Sequence, residues 1–314
     1  MVKIKMNKKK QDKTLEEGFK EFLRHCKVKN LSESTIKFYK SAYNYYFSQF
    51  LPKDTLIKTI DKTTIEEFIL FMKDNYDLNN TSINSRLRGI RSIINYWIEL
   101  GYLNKFKIDL LRTQEKIKEV YSDEQLEKLL VKPNIKKYSS VEYRSWVIVN
   151  YLLATGNRVK TLTEIKIKDL DFESGYINLR HTKNKKAQVI PLSNSLIKIL
   201  KEYLDYREGE QEDYLFCTVY GKKISPETVK KSIARYNRNR EVKITSIHAM
   251  RHTFAKKWIL SGGDIFRLQK ILGHSSIEMV KNYINMFKDD LKQDFNKFNP
   301  LEQMNKHSKT IKLK

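Results

Sequence analysis

Residues 248–255 read His-Ala-Met-Arg-His-Thr-Phe-Ala, and residues 272–276 read Leu-Gly-His-Ser-Ser. The first stretch lies in a helical run from Ile247 to Leu260 that Gly262 and Gly263 end. His248 and Arg251 are three apart and share a face of that helix. The second stretch sets His274 at a helix junction behind Gly273. Ser275 and Glu278 cap the helix that follows, and Tyr283 lies on it. Each residue alone has an ordinary reading. Tyr283 is one of 18 tyrosines, which usually pack. His248 and His252 are four apart, but no carboxylate completes a metal site beside them.

Working outward, residues 143–155 are apolar nearly all round and read as a buried helix. Gly156 closes it and leaves Arg158 just past its end. Tyr176 to Leu179 and Gln188 to Leu192 read as two short strands around a polar turn, 182–186, with Lys183 at the tip. Helices are expected at about 194–207 and 226–240, the latter with Ser225 as cap and Pro226 in the first turn. Ser122 and Gln125 form the capping box that opens this part of the chain.

The part before it reads as helices. Thr14 with Glu17 caps the first, which carries Leu15, Phe19, Phe22 and Leu23. A second starts near Ser32 or Ser34 with Ile36, Tyr39, Tyr43, Phe47 and Phe50, and Pro52 breaks it. Thr63 with Glu66 is expected to cap a third, with Ile65, Phe68, Ile69 and Met72 along one side. A fourth follows Asn79 and ends at Gly101, and Ile83, Leu87, Ile90, Ile94 and Ile98 share its apolar face. Opposite them stand Asn84, Arg88, Ser92 and Asn95, with Arg91 on the flank. Such a basic, amide-rich face suits a DNA groove as well as plain solvent. Periodicity fades over 102–121, and the linker is set at 106–121.

The formal net charge is +24, from 61 basic and 37 acidic residues. Residues 1–114 hold 22 basic and 13 acidic residues, and 115–314 hold 39 and 24, so both parts favour a polyanion. Six lysines crowd the first 13 positions, a block that adds salt-sensitive affinity. Cys26 and Cys217 make neither a metal spacing nor a disulfide framework, which fits a reducing cytoplasm. No apolar run approaches the roughly 18 residues that span a membrane, and no secretory signal is expected. No nucleotide-binding Gly-rich loop and no carboxylate cluster for magnesium is found in the sequence.

Taken together and in this order, Arg158, Lys183, the His-x-x-Arg motif of 248–251, Leu-Gly-His at 272–274 and Tyr283 resemble the tyrosine recombinase (phage integrase) family. Xer proteins and transposon integrases belong to it, and the resemblance spans nearly the whole chain. It implies a mainly α fold with a small β-hairpin or sheet. A basic tail (1–13) precedes a helical, SAM-like core-DNA-binding domain (14–105). Past the linker lie an α+β catalytic domain (122–300) and a basic tail (301–314), and the two domains form a C-shaped clamp on DNA. The resemblance makes Arg158 and Arg251 the catalytic arginines, Lys183 the hairpin lysine, His248 and His274 the two histidine positions, and Tyr283 the nucleophile. Asn84, Arg88, Arg91 and Ser92 are the candidate DNA contacts.

Three positions depart from the family's habit. Thr161 stands where relatives often carry an acid, Thr182 and Asn184 flank the lysine in place of glycines, and Ala249 replaces a polar residue. The hairpin register stays open, with Lys185 and Lys186 as alternatives to Lys183. The implied reaction cuts and rejoins DNA through a 3′-phosphotyrosine and a Holliday junction, with no metal or cofactor. The implied partners are duplex DNA with inverted half-sites and a homotetramer, a dimer on each of two sites. An accessory DNA-bending or directionality factor is a further candidate, and the expected location is cytoplasmic, at the nucleoid. The alternatives are another phosphotyrosine enzyme, such as a type IB topoisomerase or telomere resolvase, or a DNA-binding factor without catalysis. Beyond Tyr283, Phe287, Leu291, Phe295 and Phe298 form a helical stripe, which relatives pass to a neighbouring protomer.

Overall fold

The computed structural model describes residues 12–114, 119–134, 139–180, 187–274, 276–278, 280 and 299–301. Lys183, Lys185, Lys186, Tyr283 and the stripe from Phe287 to Phe298 lie outside them. The chain divides into two compact units, 1–115 and 116–314.

The first unit is helical among its described residues. Thr14 caps α1 (Leu15–Val28) through the expected capping box, and α1 buries Leu15, Phe19, Phe22 and Cys26. Ser32 caps α2 (Glu33–Ala42). A π-helical turn at Tyr43–Phe47 follows, then the short α3 (Ser48–Phe50). The wide turn brings both Tyr43 and Phe47 into the core, where Tyr43 stacks on Phe19 and Phe47 meets Phe68 edge-on. Within that turn, the Tyr45 carbonyl accepts a hydrogen bond from the Tyr76 hydroxyl at 3.0 Å.

Helix α4 (Lys62–Asn75) corrects one expected cap. Asp61, not Thr63, holds its first turn, and Thr64, not Glu66, completes the box. Asp61 is the better cap because its carboxylate accepts from both the backbone and the hydroxyl of Thr64, each at 2.8 Å. Helix α5 (Asn80–Glu99) starts at the Asn79 cap and buries a wider face than the isoleucine stripe predicts, including Asn84, Ile93 and Trp97. Gly89 lets α2 come close: a Cβ there would stand 2.7 Å from that of Ala42.

In the second unit, α6 (Asp123–Leu130) begins at the Ser122–Gln125 capping box. Helix α7 (Ser140–Thr155) is the buried central helix, packed by α6 and by three later helices. Gly156 ends it at φ 61°, and the short α8 (Val159–Leu162) follows Arg158. The sheet is antiparallel in the order β1 (Leu170–Asp171), β2 (Tyr176–Leu179), β3 (Gln188–Pro191). Its register pairs Ile177 with Ile190 and Leu179 with Gln188. Ile177, Leu179 and Ile190 face the core. β1 escaped the sequence reading because two residues show no alternation.

Ser193 caps α9 (Asn194–Arg207), and Ser225 caps α10 (Pro226–Arg238), which stops two residues before the expected end. Helices α11 (Ile247–Leu260) and α12 (Ile265–Leu272) complete the described elements, and Gly273 ends α12 at φ 60°.

Candidate active site

The last three carbonyls of α12 organise the site. A helix C-terminus leaves such carbonyls without partners and carries partial negative charge. Arg251, on α11, donates from Nη2 to Leu272 O at 2.7 Å and from Nη1 to Gly156 O at 2.8 Å. It therefore ties together the ends of α7 and α12. Arg158 reaches the same Leu272 oxygen from the start of α8, more loosely at 3.4 Å. Two guanidiniums thus converge on one carbonyl. Gln188, on β3, donates to the two preceding carbonyls, Lys270 O and, at 2.8 Å, Ile271 O.

His274 follows directly. Its Nε2 lies 2.7 Å from Arg251 Nη2. Arginine only donates, so Nε2 accepts and a neutral ring carries its proton on Nδ1. The backbone N–H of His274 returns to Gln269 O at 3.1 Å, and the Gln269 amide donates to His274 O at 3.3 Å.

His248 and Arg251 differ in depth despite their shared spacing. Arg251 is 5% exposed, whereas His248 lies at the surface. Desolvation, followed by the positive charges of Lys230, Arg251 and Arg158, lowers the His248 pKa below its ordinary value. The shift favours the neutral imidazole, the form able to accept a proton. The structure brings Arg158, His248, Arg251 and His274 into one site.

The turn that carries Arg158 is built from buried polar bonds. Thr155 Oγ1 donates to Tyr151 O at 2.7 Å, and the Asn157 amide donates to the Tyr151 hydroxyl at 2.6 Å. Gly156 has no alternative there: a Cβ would stand 2.5 Å from Phe254 Cδ1 and 2.8 Å from Leu272 Cδ2. Thr253 also anchors α11. Its Oγ1 donates to Ala249 O and accepts the Tyr121 N–H, both at 2.8 Å.

Sequence reasoning missed Gln188 and Lys230. A glutamine at a strand start and one of two adjacent lysines on α10 carry no mark in the sequence. It also placed Asn84 on the DNA face, and the structure corrects that. Asn84 is 3% exposed, and its amide makes a pair of 2.8 Å bonds with the backbone N–H and O of Leu111. Its polar atoms hold the returning chain. Arg88 is exposed and Arg91 and Ser92 are half-buried, with Ser92 Oγ donating to Arg88 O at 3.0 Å. Among the described residues, no group of three or more His, Cys, Asp or Glu is placed to hold a metal. No helix among them is long and apolar enough to cross a membrane.

Comparison with known proteins assigns the lineage. Residues 14–117 match the phage integrase SAM-like domain, and residues 119–289 match the phage integrase family. The chain belongs to the phage integrase family. Among curated relatives of this integrase-family chain, the tyrosine recombinase XerA of Pyrococcus furiosus is 29% identical over 302 residues, 94% of this chain and 98% of the relative. XerD of Staphylococcus haemolyticus is 28% identical over 299 residues, covering 91% and 99%. The fold matches the Tn1549 transposon integrase bound to transposon right-end DNA, with TM-score 0.72, 21% identity and coverage of 90% and 99%. It also matches a lambda integrase dimer bound to a core site, with TM-score 0.69, 18% identity and coverage of 97% and 81%.

Proposed function

We propose that this integrase-family chain is a site-specific DNA recombinase that cuts and rejoins strands through a 3′-phosphotyrosine. The observation that carries the reading is the convergence of Arg158 and Arg251 on the Leu272 carbonyl, with His274 on the same guanidinium. Negative charge builds on the non-bridging oxygens when a phosphodiester is attacked. Two guanidiniums at one point stabilise it there, each worth about 10²–10³ in rate.

Tyr283 Oη forms the bond to phosphorus, and the bond to the 5′-oxygen breaks. A phenol of pKa about 10 needs its proton removed. Neutral His248 takes it. His274 supports Arg251 and adds a ring beside the phosphate. Lys183, or Lys185 or Lys186 in another register, protonates the leaving 5′-oxygen. The phosphotyrosine conserves the bond energy, and attack by a new 5′-hydroxyl reverses the steps, so joining needs no nucleotide.

In this reading DNA is the partner, and α5 contributes Arg88, Arg91 and Ser92 to its grip. The units divide as a helical core-binding domain and a catalytic domain around a linker. Four protomers act on two sites, exchange strands through a Holliday junction and pass the stripe from Phe287 to Phe298 to a neighbour. An accessory DNA-bending protein and a nucleoid location belong to the same proposal.

The test is a recombination assay on plasmids carrying paired target sites selected from bound DNA, run in excess chelator. Recombinant product and a covalent protein–DNA adduct are expected. Strict dependence of cleavage on a divalent metal would overturn the mechanism.

A further inference from the structure

One cleft in the second unit holds more buried positive charge than its own residues neutralise. It has a volume of about 460 Å³ and lies between the first half of α7, the end of α9 and the loop 208–221. Arg144 and Arg207 both line it. Arg144 is 7% exposed. Its Nη1 donates to the Cys217 carbonyl, and its Nε is buried without a hydrogen-bond partner among the described residues. The Arg207 side chain is 10% exposed, and both its Nε and Nη1 are buried without partners among the described residues.

Among the described residues, one carboxylate approaches. Asp213 Oδ2 stands 3.9 Å from Arg207 Nη2, but it is half-exposed and already accepts the Glu210 N–H at 3.0 Å. Glu208 lines the same cleft and forms no ion pair with either arginine. Burying a cation without a counter-charge is costly, and desolvation accordingly lowers the Arg144 pKa. Two guanidiniums, with three buried nitrogens that lack partners among the described residues, therefore line a cleft that offers one weakly placed acid.

We propose that this cleft is an oxyanion-binding site for a small carboxylate or phosphate compound. The two guanidiniums supply charge-assisted hydrogen bonds, and Tyr203 and Tyr206 form an aromatic wall. The site is separate from the reaction centre. Arg144 lies on the first half of α7, while Arg158 follows that helix's far end, about 20 Å away at the helical rise per residue.

The probes are inorganic phosphate and acetate, titrated at constant ionic strength. The full chain carries Arg158→Ala, so that the reaction centre contributes little, and the readouts are melting midpoint and equilibrium dialysis of labelled phosphate. Saturable binding of one phosphate or one acetate per chain is expected, and the tighter probe identifies the ligand class. Adding Arg207→Met or Arg144→Met should weaken binding at least about tenfold. Arg207→Met should also raise the midpoint in the absence of the probe, because an uncompensated buried cation is gone, whereas Arg144→Met also strips the Cys217 carbonyl of a donor. Two substitutions are used so that one failing to fold leaves the other to decide. Equal titrations with and without the arginine, or a non-saturating salt effect, overturn the proposal. Displacement of the bound phosphate by a short DNA duplex also overturns it, since the cleft would then be a DNA contact.

Discussion

The Arg251 guanidinium bonds Gly156 O, Leu272 O and His274 Nε2, and the proposed reaction asks it to hold the phosphate as well. Arg158 makes a longer bond to Leu272 O. The two arginines should therefore separate when each is replaced by alanine. Both changes should lower single-turnover strand cleavage at least about 10². Only Arg251→Ala should also cost stability, about 1–3 kcal/mol in urea unfolding, because it strips the buried Gly156 carbonyl of this donor and leaves Leu272 O the long Arg158 bond. Equal stability losses would contradict the division of roles. His248 gives a pH prediction. Its folded pKa lies below the unfolded value of 6.5, so the unfolded chain takes up a proton that the folded chain resists. Its contribution is nil above pH 6.5 and becomes destabilising as pH falls below that. His248→Gln should flatten this part of the stability–pH curve, and an unchanged curve would remove the desolvation argument. The His-x-x-Arg spacing was legible in sequence, but the depth difference between His248 and Arg251 was not, because it depends on what packs over each. Asn84 was misread for the same reason: helical position cannot reveal that the chain returns over that face and bonds its amide.

At the scale of elements, the corner where α7, α11, α12 and β3 meet is fixed by Gly156 and Gln188. Gly156→Ala should cost more than the roughly 1–2 kcal/mol of a left-handed alanine, since its Cβ also strikes Phe254 and Leu272. Thermal unfolding checks this, and a neutral result would mean that the corner relaxes freely. Gln188 caps the end of α12 beside the carbonyl that both arginines share. Gln188→Ala should slow strand cleavage with little change in DNA affinity, and Gln188→Arg should restore much of the rate by donating to the same carbonyls. Parallel losses of affinity and rate in both variants would refute this role. Most elements were readable because local chemistry marks them: serine and threonine caps, glycine stops, a helix apolar on every side. The misses have local causes too. Asp61 outcompetes Thr63 as a cap, β1 is too short to alternate, and the π turn at Tyr43–Phe47 looks like ordinary helix in its apolar spacing.

For the whole molecule, the excess of 61 basic over 37 acidic residues is spread over both units, as a protein gripping DNA along its length requires. The family was legible because the order of Arg158, His248, Arg251, His274 and Tyr283 survives although each residue alone is ordinary. The cleft at Arg144 and Arg207 was not legible, because buried charge without a partner is a property of packing and leaves no sequence pattern. The proposed reaction joins a tyrosine to DNA. The most direct measurement incubates the protein with a half-site duplex nicked near the cleavage point, so that the cut cannot be resealed, and maps the adduct by peptide mass spectrometry. The account predicts a 3′-phosphodiester on Tyr283, formed in the presence of chelator and absent in Tyr283→Phe, which should still bind the duplex. An adduct on another residue, or one that persists in Tyr283→Phe, would contradict it.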